Sequence, residues 1–298
     1  MAEGAESGGG AGWAPAPMVA GVANLSDKDF HRLARYIETE LGIRMPDSKR
    51  VMLESRLQKR LRKLGFTTFS QYLEHVFSDS GRETELINMI DAVTTNKTDF
   101  FREADHFDFL IENIVPEAVR RSGAGHARPF EIWSAGCSTG EEPYTIAMVL
   151  EEYRSSDPLF SYRIFASDLS SQVLGKALEA VYDESKAEVV PMSFKKRYML
   201  RSRDRDQALL RMKPEIRARV RFARINLMDE RYDADENFDV VFCRNVIIYF
   251  ERKVQELILR RLCSHIRTGG WLILGHSETL TGMDVPLRGI APTIYARV

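Results

Sequence analysis

The stretch 131-EIWSAGCSTGEEPYTIAM-148 leads from a short apolar run into a loop with two glycines and then into a helical pattern. Similar apolar runs alternate with helical stretches along the rest of the chain; they are 130-FEIWSA-135, 162-YRIFAS-167, 219-RVRFAR-224, 238-FDVVFC-243 and 270-GWLILG-275, with 292-PTIYARV-298 at the end. Such alternation is typical of parallel βαβ units. We therefore predict an α/β fold with a doubly wound sheet over residues 130–298, where ligands bind beyond the carboxyl ends of the strands.

The preceding part of the chain, residues 24–92, has the pattern of a small helical domain. Ser26 and Asp47 are placed to cap two helices, and Gly42 and Gly65 are placed to end them. No strand pattern interrupts these residues. The second helix has an apolar stripe at helical spacing, formed by Leu53, Leu57, Leu61 and Leu64.

Three further segments complete the predicted organisation. Residues 93–129 read as a linker and a helix that leads into the sheet. Residues 185–218 are highly charged and read as a small insertion between two strands. The leader, residues 1–23, is rich in Gly, Ala and Pro and has little to bury, so we predict a disordered tail.

Composition excludes several classes of protein. The net charge of the 298-residue chain is -1, which does not favour attraction of the whole protein to nucleic acid or to an anionic membrane. The three cysteines form no CxxC pair, which argues against a disulfide framework and a structural zinc site and fits the reducing cytoplasm. No apolar run reaches the roughly 18 residues of a membrane span. We expect a cytoplasmic protein without membrane insertion or a bound metal.

The glycine loop raises the question of a cofactor. Gly136 and Gly140 let the backbone approach a ligand, although many strand–helix turns carry glycines without one. Glu141 and Glu142 open the following helix, where they suit the helix dipole but would repel a pyrophosphate. Asp168 ends the next strand and either caps the helix after it or accepts hydrogen bonds from ribose hydroxyls. The combination suggests an adenosine ligand without phosphates, S-adenosylmethionine (SAM).

Several motifs together resemble the CheR family of chemotaxis receptor methyltransferases over residues 24–298; they are 94-TTNKTDFFRE-103, 136-GCSTGEEPY-144, 165-FASDLS-170, 225-INL-227, 242-FCRNVIIYF-250 and 275-GHSE-278. The resemblance implies a Rossmann-like SAM-dependent methyltransferase sheet with an N-terminal all-helical domain and a small β-subdomain insertion. It also implies methyl transfer to glutamate side chains in the cytoplasmic helical bundle of chemoreceptors. The products would be glutamate methyl esters and S-adenosylhomocysteine (SAH).

The resemblance also implies site residues. Arg102 and Tyr249 would act on the substrate carboxylate, Arg102 by fixing its direction and Tyr249 at the mouth of the site. The ordinary alternatives are that Arg102 pairs with Glu103 or Asp105 on a solvated helix and that Tyr249 packs beside Phe250. The residues expected to bind the cofactor are Asn96, Thr98, Arg102, Gly136, Glu141 (or its neighbour Glu142), Asp168, Asn226, Leu227, Cys243, Arg244 and Asn245. A glutamate carboxylate is ionised at pH 7, so the reaction needs positioning and removal of water and no general base. His276, which follows a strand, is therefore expected to be structural.

A basic helix is the candidate docking surface. Residues 49–63 carry seven positive charges and one negative charge, most of them opposite the leucine stripe. A solvated outer face is the ordinary explanation. The substrate implied by the resemblance is an acidic bundle, however, so we predict that Arg56, Lys59, Arg60 and Lys63 steer and dock it.

Some members of the family bind a receptor-tail peptide at a glycine-containing loop of the β-subdomain. The matching stretch here, 198-YMLRSRDRDQALLRM-212, has no glycine, so such a tether is doubtful. Other interpretations remain: a nucleic-acid methyltransferase, a non-catalytic module that senses SAM, and a dehydrogenase. Aromatic residues do not interleave with the basic helix, which disfavours nucleic acid. We expect a monomer.

Overall fold

The computed structural model describes residues 24–204, 206–234 and 237–298, so the predicted leader lies outside the described residues. The N-terminal part is helical; its helices are α1 (Asp27–Leu41), α2 (Arg50–Leu64), α3 (Phe69–Phe77), α4 (Asp79–Thr84) and α5 (Leu86–Val93). No helix among the described residues is long and apolar enough to span a membrane.

Local sequence explains most of the helix ends. The Ser26 hydroxyl accepts a hydrogen bond from the Asp29 N–H at 3.2 Å and caps α1, which ends at Gly42 with φ 68°. The prediction that Asp47 caps the second helix is wrong. A 3₁₀ turn, Asp47–Lys49, precedes α2 instead, and no side chain caps it.

The leucine stripe of α2 is buried at its first three positions and forms the core of the helical part together with α1, α3 and α5. Leu64, the last member of the stripe, remains 40% exposed. It lies in the last turn of α2, just before Gly65.

The helical stretch that leads into the sheet comprises α6 (Asp105–Phe109), a π-helical turn (Leu110–Ile114) and α7 (Val115–Ser122). The strands that follow are β1 (Phe130–Ala135), β2 (Tyr162–Asp168), β3 (Val181–Asp183), β4 (Met199–Arg201), β5 (Leu209–Met212), β6 (Val220–Arg224), β7 (Phe238–Cys243), β8 (Ile266–Leu274), β9 (Leu287–Ala291) and β10 (Ile294–Arg297). The helices between them are α8 (Glu141–Ser156), α9 (Ser171–Glu179), α10 (Met192–Tyr198), α11 (Pro214–Arg217) and α12 (Arg252–Ser264).

The main sheet has the order β6-β2-β1-β7-β8-β10-β9. The pairs from β6 to β8 are parallel, and β10 is antiparallel to both of its neighbours. A separate antiparallel sheet, β3-β5-β4, forms the small β-subdomain, and its first strand begins at Val181, before the start of the predicted insertion. The predicted fold class is confirmed, and β9 is a strand that the sequence pattern did not reveal.

The core lies on both faces of the main sheet. Along β1, Phe130 and Ile132 pack with α6, α7 and α8, whereas Trp133 and Ala135 pack on the other face with α12. Because β1, β2 and β7 are adjacent and parallel, their carboxyl ends meet at one edge of the sheet. That edge brings together three of the six sequence motifs, 136–144, 165–170 and 242–250.

Candidate active site

A cavity lies at this carboxyl edge and has walls from both parts of the chain. The sheet side contributes the loop after β1, the end of β2, residues 225–227 and the turn 244–250. Segment 93–102 crosses it, and residues between Leu41 and Met52 of the helical part close it. The cavity is therefore enclosed by the helical domain as well as by the sheet.

The glycine loop is held in a left-handed conformation at three positions: φ is 83° at Gly136, 50° at Ser138 and 95° at Gly140. Ser138 links the walls of the cavity. Its hydroxyl donates to the Asn96 carbonyl at 2.9 Å, and its N–H donates to Asp168 Oδ2 at 2.9 Å. Ser138 therefore fixes the loop to both segment 93–102 and the end of β2, a role that sequence analysis missed.

Replacing Gly136 with alanine should disturb this loop. A Cβ at Gly136 would lie 2.4 Å from Val246 Cγ2, in addition to the strain of its positive φ. We expect Gly136→Ala to lower the free energy of unfolding by about 2–5 kcal/mol, the sum of overpacking and left-handed strain. Urea denaturation measures this loss.

Gly282→Ala is the matched control. Gly282 has φ 74°, yet no atom lies within 4 Å of its added Cβ. This variant should lose about 1–2 kcal/mol from backbone strain alone. Equal losses in the two variants would show that the contact with Val246 is unimportant.

Asp168 ends β2 with its carboxylate lining the cavity. Its Oδ2 accepts from the Ser138 N–H and its Oδ1 accepts from the Ser170 N–H at 3.0 Å. Burial raises the pKa of the Asp168 carboxyl, and these backbone N–H groups oppose the shift. The side chain that caps α9 is Ser170 and not Asp168. A carboxylate has about four acceptor positions, so Asp168 can still accept from a ligand hydroxyl.

The two glutamates that open α8 point in different directions. Glu141 does not line the cavity: it is fully buried against Lys186, whose Nζ lies 2.9 Å from Oε1, and against Thr139. Glu142 lines the cavity and accepts from the Ser134 hydroxyl at 2.7 Å. Consecutive helical side chains diverge by about 100°, so the structure favours Glu142 rather than Glu141 for contact with a cofactor. Burial raises the pKa of the Glu142 carboxyl, while the Arg244 charge lowers it.

Cys243 does not reach the cavity either. It ends β7 with its side chain fully buried in the core on the α12 face. Burial raises the pKa of its thiol well above the ordinary value, so it is a packing residue. Asn226 and Leu227 do line the cavity, and Asn226 Nδ2 donates to the Glu40 carbonyl at 2.9 Å.

The two residues expected to act on the substrate both face the cavity. Arg102 donates from Nη1 to the Lys97 carbonyl at 3.1 Å, and its side chain is 35% exposed. Tyr249 lies in the 3₁₀ turn Ile247–Tyr249 that follows β7. Among the described residues we find no hydrogen-bond partner for the Tyr249 hydroxyl, which leaves it available to a ligand. Thr98 and Asn96 also line the cavity.

Arg244 and Asn245 connect the turn after β7 to segment 93–102 and its continuation. The Arg244 side chain is buried and lies 3.2 Å from Glu103 Oε2 and 3.5 Å from Glu142 Oε2. It also donates to the Arg102 carbonyl. Asn245 Nδ2 donates to Glu103 Oε1 at 3.1 Å. Glu103 is thus an additional residue of this region outside the predicted site, and its Oε1 also lies 4.0 Å from Arg102 Nε.

The helical domain contributes a wall that no motif indicated. Ile43, Met45, Lys49 and Met52 line the cavity. The wall is fixed to the sheet because the Arg44 N–H donates to the Tyr249 carbonyl at 2.9 Å and Ile43 forms a β-bridge with Phe250. Contacts between residues so far apart in sequence leave no local pattern.

Comparison with known families agrees with this arrangement. The family model described as "CheR methyltransferase, SAM binding domain" matches residues 96–295, and the one described as "CheR methyltransferase, all-alpha domain" matches residues 28–94. The chain belongs to the CheR methyltransferase family. Its sheet domain is therefore the SAM-binding domain of a CheR methyltransferase.

Curated relatives of this CheR chain are similar over nearly their whole length. A chemotaxis protein methyltransferase of Borreliella burgdorferi is 36% identical over 92% of this chain and 95% of that protein. Proteins of the same name from Salmonella typhimurium and Escherichia coli are each 38% identical over 91% of this chain and 91% of the relative. The similarity extends across both the helical and the SAM-binding domains.

Proposed function

We propose that this CheR methyltransferase transfers a methyl group from SAM to glutamate side chains of chemoreceptors and forms glutamate methyl esters for chemotactic adaptation. The observation that carries the proposal is one cavity lined by two kinds of side chain. Asp168 and Glu142 offer carboxylates, and Arg102 and Tyr249 offer hydrogen-bond donors. The carboxylates suit a cationic nucleoside, and the donors suit a carboxylate.

The residues of the cavity fit SAM and not a dinucleotide. Glu142 would repel a pyrophosphate, and α8 begins with two acidic residues. The carboxylates of Glu142 and Asp168 suit the ammonium group and the ribose hydroxyls of SAM, respectively. Leu227 and Ile225 provide apolar surface for an adenine beside them.

The proposed methyl transfer requires the protein mainly to position SAM and the substrate carboxylate. SAM supplies a methyl group already activated by the sulfonium. The substrate glutamate, with an ordinary pKa of about 4.3, is ionised and nucleophilic at pH 7. Arg102 would orient it by a charge-assisted hydrogen bond, and Tyr249 would donate to its second oxygen. The walls contributed by the helical domain would exclude water from the carboxylate.

The structure changes the proposed docking surface. Arg56 donates from Nη1 to the carbonyls of Val93 at 2.7 Å and Thr94 at 3.0 Å. Arg60 donates to Glu85 Oε1 at 2.9 Å. Both of these expected docking residues therefore have internal partners. Lys59 and Lys63 are exposed, as predicted, and Arg62 is exposed beside them, so we assign docking to these three residues.

Reversing the charge of Lys59, Arg62 and Lys63 with glutamate should slow receptor methylation at low salt. Attraction to an acidic helical bundle would become repulsion, and we expect kcat/KM for the receptor to fall about tenfold or more. The difference should shrink above about 0.5 M salt as screening increases. SAH affinity, measured by calorimetry, should not change.

Reversal of three exposed basic residues elsewhere provides the control: Arg163, Lys176 and Lys253. Their reversal changes net charge equally and should have a much smaller effect on kcat/KM. If both triple variants lose the same activity, net charge rather than a docking face is responsible.

The first experiment combines the protein with radiolabelled SAM and membranes that contain chemoreceptors, followed by mild base. Label on the receptor that is released as methanol is the expected result, because carboxyl methyl esters hydrolyse under these conditions. Binding of SAM without transfer to any receptor would favour the non-catalytic module. Label on RNA or DNA would favour the nucleic-acid methyltransferase.

A further inference from the structure

Arg102 lies in a strained stretch of backbone. The residues on either side of it, Phe101 and Glu103, have φ values of 52° and 54°. A left-handed conformation costs a residue with a side chain about 1–2 kcal/mol. Such a conformation persists where surrounding contacts hold it, so the contacts of this stretch determine where the Arg102 side chain points.

Glu103 makes most of these contacts on the carboxyl side of Arg102. Oε1 accepts from Asn245 Nδ2 at 3.1 Å, and Oε2 accepts from Arg244 Nη2 and from the His276 N–H, each at 3.2 Å. The side chain is 14% exposed, and its Oε1 also lies 4.0 Å from Nε of Arg102 itself. One carboxylate therefore joins three segments: residues 101–103, the turn after β7, and the loop after β8.

The charge of Glu103 is needed for this arrangement. Burial would raise the pKa of the Glu103 carboxyl, but the Asn245 hydrogen bond and the Arg244 charge offset burial and hold the pKa below its ordinary value. Glu103, His106 and His276 have the donor atoms of a metal site. The buried Arg244 guanidinium already supplies a cation at Oε2, and it also donates to the Arg102 carbonyl.

We propose that Glu103 is a positioning residue for methyl transfer: its ionised carboxylate holds Arg244 against the Arg102 carbonyl and so directs the Arg102 side chain into the cavity. The proposal rests on the proposed function of Arg102. The amino side of the stretch has its own anchors, since Phe100 is buried and the Phe101 N–H donates to Thr145 at 3.2 Å. Loss of the Glu103 charge should therefore loosen the position of Arg102 without unfolding the domain.

The test is Glu103→Gln, which keeps the shape and removes the charge. We expect kcat to fall tenfold or more while SAH affinity and KM for the receptor change less than threefold. In an Arg102→Ala background, Glu103→Gln should cause almost no further loss, because the effects of residues that act through one another are not additive. Asp105→Asn is the control: Asp105 also contacts His276, but its side chain is 66% exposed, and kcat should be preserved.

Hydrogen exchange provides a readout that does not depend on activity. In Glu103→Gln, amides of residues 96–103 should exchange faster, whereas those of β7 should not change. This result would support the positioning role even if the wild-type protein methylated no receptor, an outcome that would count against the proposed function alone. Unchanged kcat, additive losses with Arg102→Ala, or a parallel fall in SAH affinity and melting temperature would overturn the proposal. Should Glu103→Gln fail to fold, the same measurements on Glu103→Asp decide it, with faster exchange in residues 96–103 expected.

Discussion

Arg102→Ala should reduce kcat for receptor methylation by about 10²-fold, because misplacing a reacting group by about 1 Å can cost that much. Arg102 lines the cavity; among the described residues its Nη1 donates to the Lys97 carbonyl, and its Nε lies 4.0 Å from Glu103 Oε1. Its Nη2 group would therefore be available to the substrate carboxylate. SAH affinity should fall much less than kcat. Initial rates with saturating SAM, together with calorimetry of SAH, measure the two quantities.

Arg120→Ala is the matched control for Arg102. The Arg120 side chain is 71% exposed and pairs with Glu117 on the surface of α7. Surface pairs of this kind contribute little to stability, so activity should be unchanged. If Arg102→Ala retained more than half of the wild-type kcat, a different residue would have to orient the substrate.

Asp168→Asn should weaken SAH binding by about 10–100-fold. Hydrogen bonds to a charged acceptor contribute about 1.5–3 kcal/mol, and the amide removes the charge that the ribose hydroxyls would contact. The amide nitrogen introduced by this substitution would also face the N–H of Ser138 or Ser170, both of which now donate to the carboxylate. Calorimetric titration with SAH gives the affinity directly.

The control for Asp168 is Asp157→Asn. Asp157 is 28% exposed, pairs with His126, and follows α8 at the opposite end of that helix from the cavity. Its substitution should leave SAH affinity within twofold of wild type. If the Asp168→Asn variant and the wild-type protein bound SAH equally well, Asp168 would accept hydrogen bonds only from the protein backbone and would not contact the ligand.

Local pattern was sufficient to predict six of the seven described strands of the main sheet. Strands β1, β2 and β7 are apolar runs of six or seven residues, and their carboxyl ends place Gly136, Asp168 and Arg244 around one cavity. β9 escaped prediction because 287-LRGIA-291 contains a glycine and a charged residue and is a strand by virtue of its pairing with β10. Such a strand depends on tertiary context and has little signal of its own.

The choice between Glu141 and Glu142 shows where pattern fails. Residues 143–150 of α8 are buried almost throughout, so no apolar stripe indicates which face of the helix is turned toward the cavity. The partners of Arg56 and Arg60 are likewise 25 or more residues away in sequence. A basic helix looks the same in sequence whether its charges face solvent or an internal acceptor.

Helix α2 forms part of the cavity wall and also carries the proposed docking residues. This double role constrains any attempt to change the receptor that the protein would methylate. Met52 faces the cavity and Arg56 supports the carbonyls of Val93 and Thr94, while Lys59, Arg62 and Lys63 face outward. A chimera that imported the entire helical domain of a relative would also replace the part of the cavity wall that contains Met52. Receptor preference is better redesigned one outward side chain at a time, with the inner half of α2 left as it is.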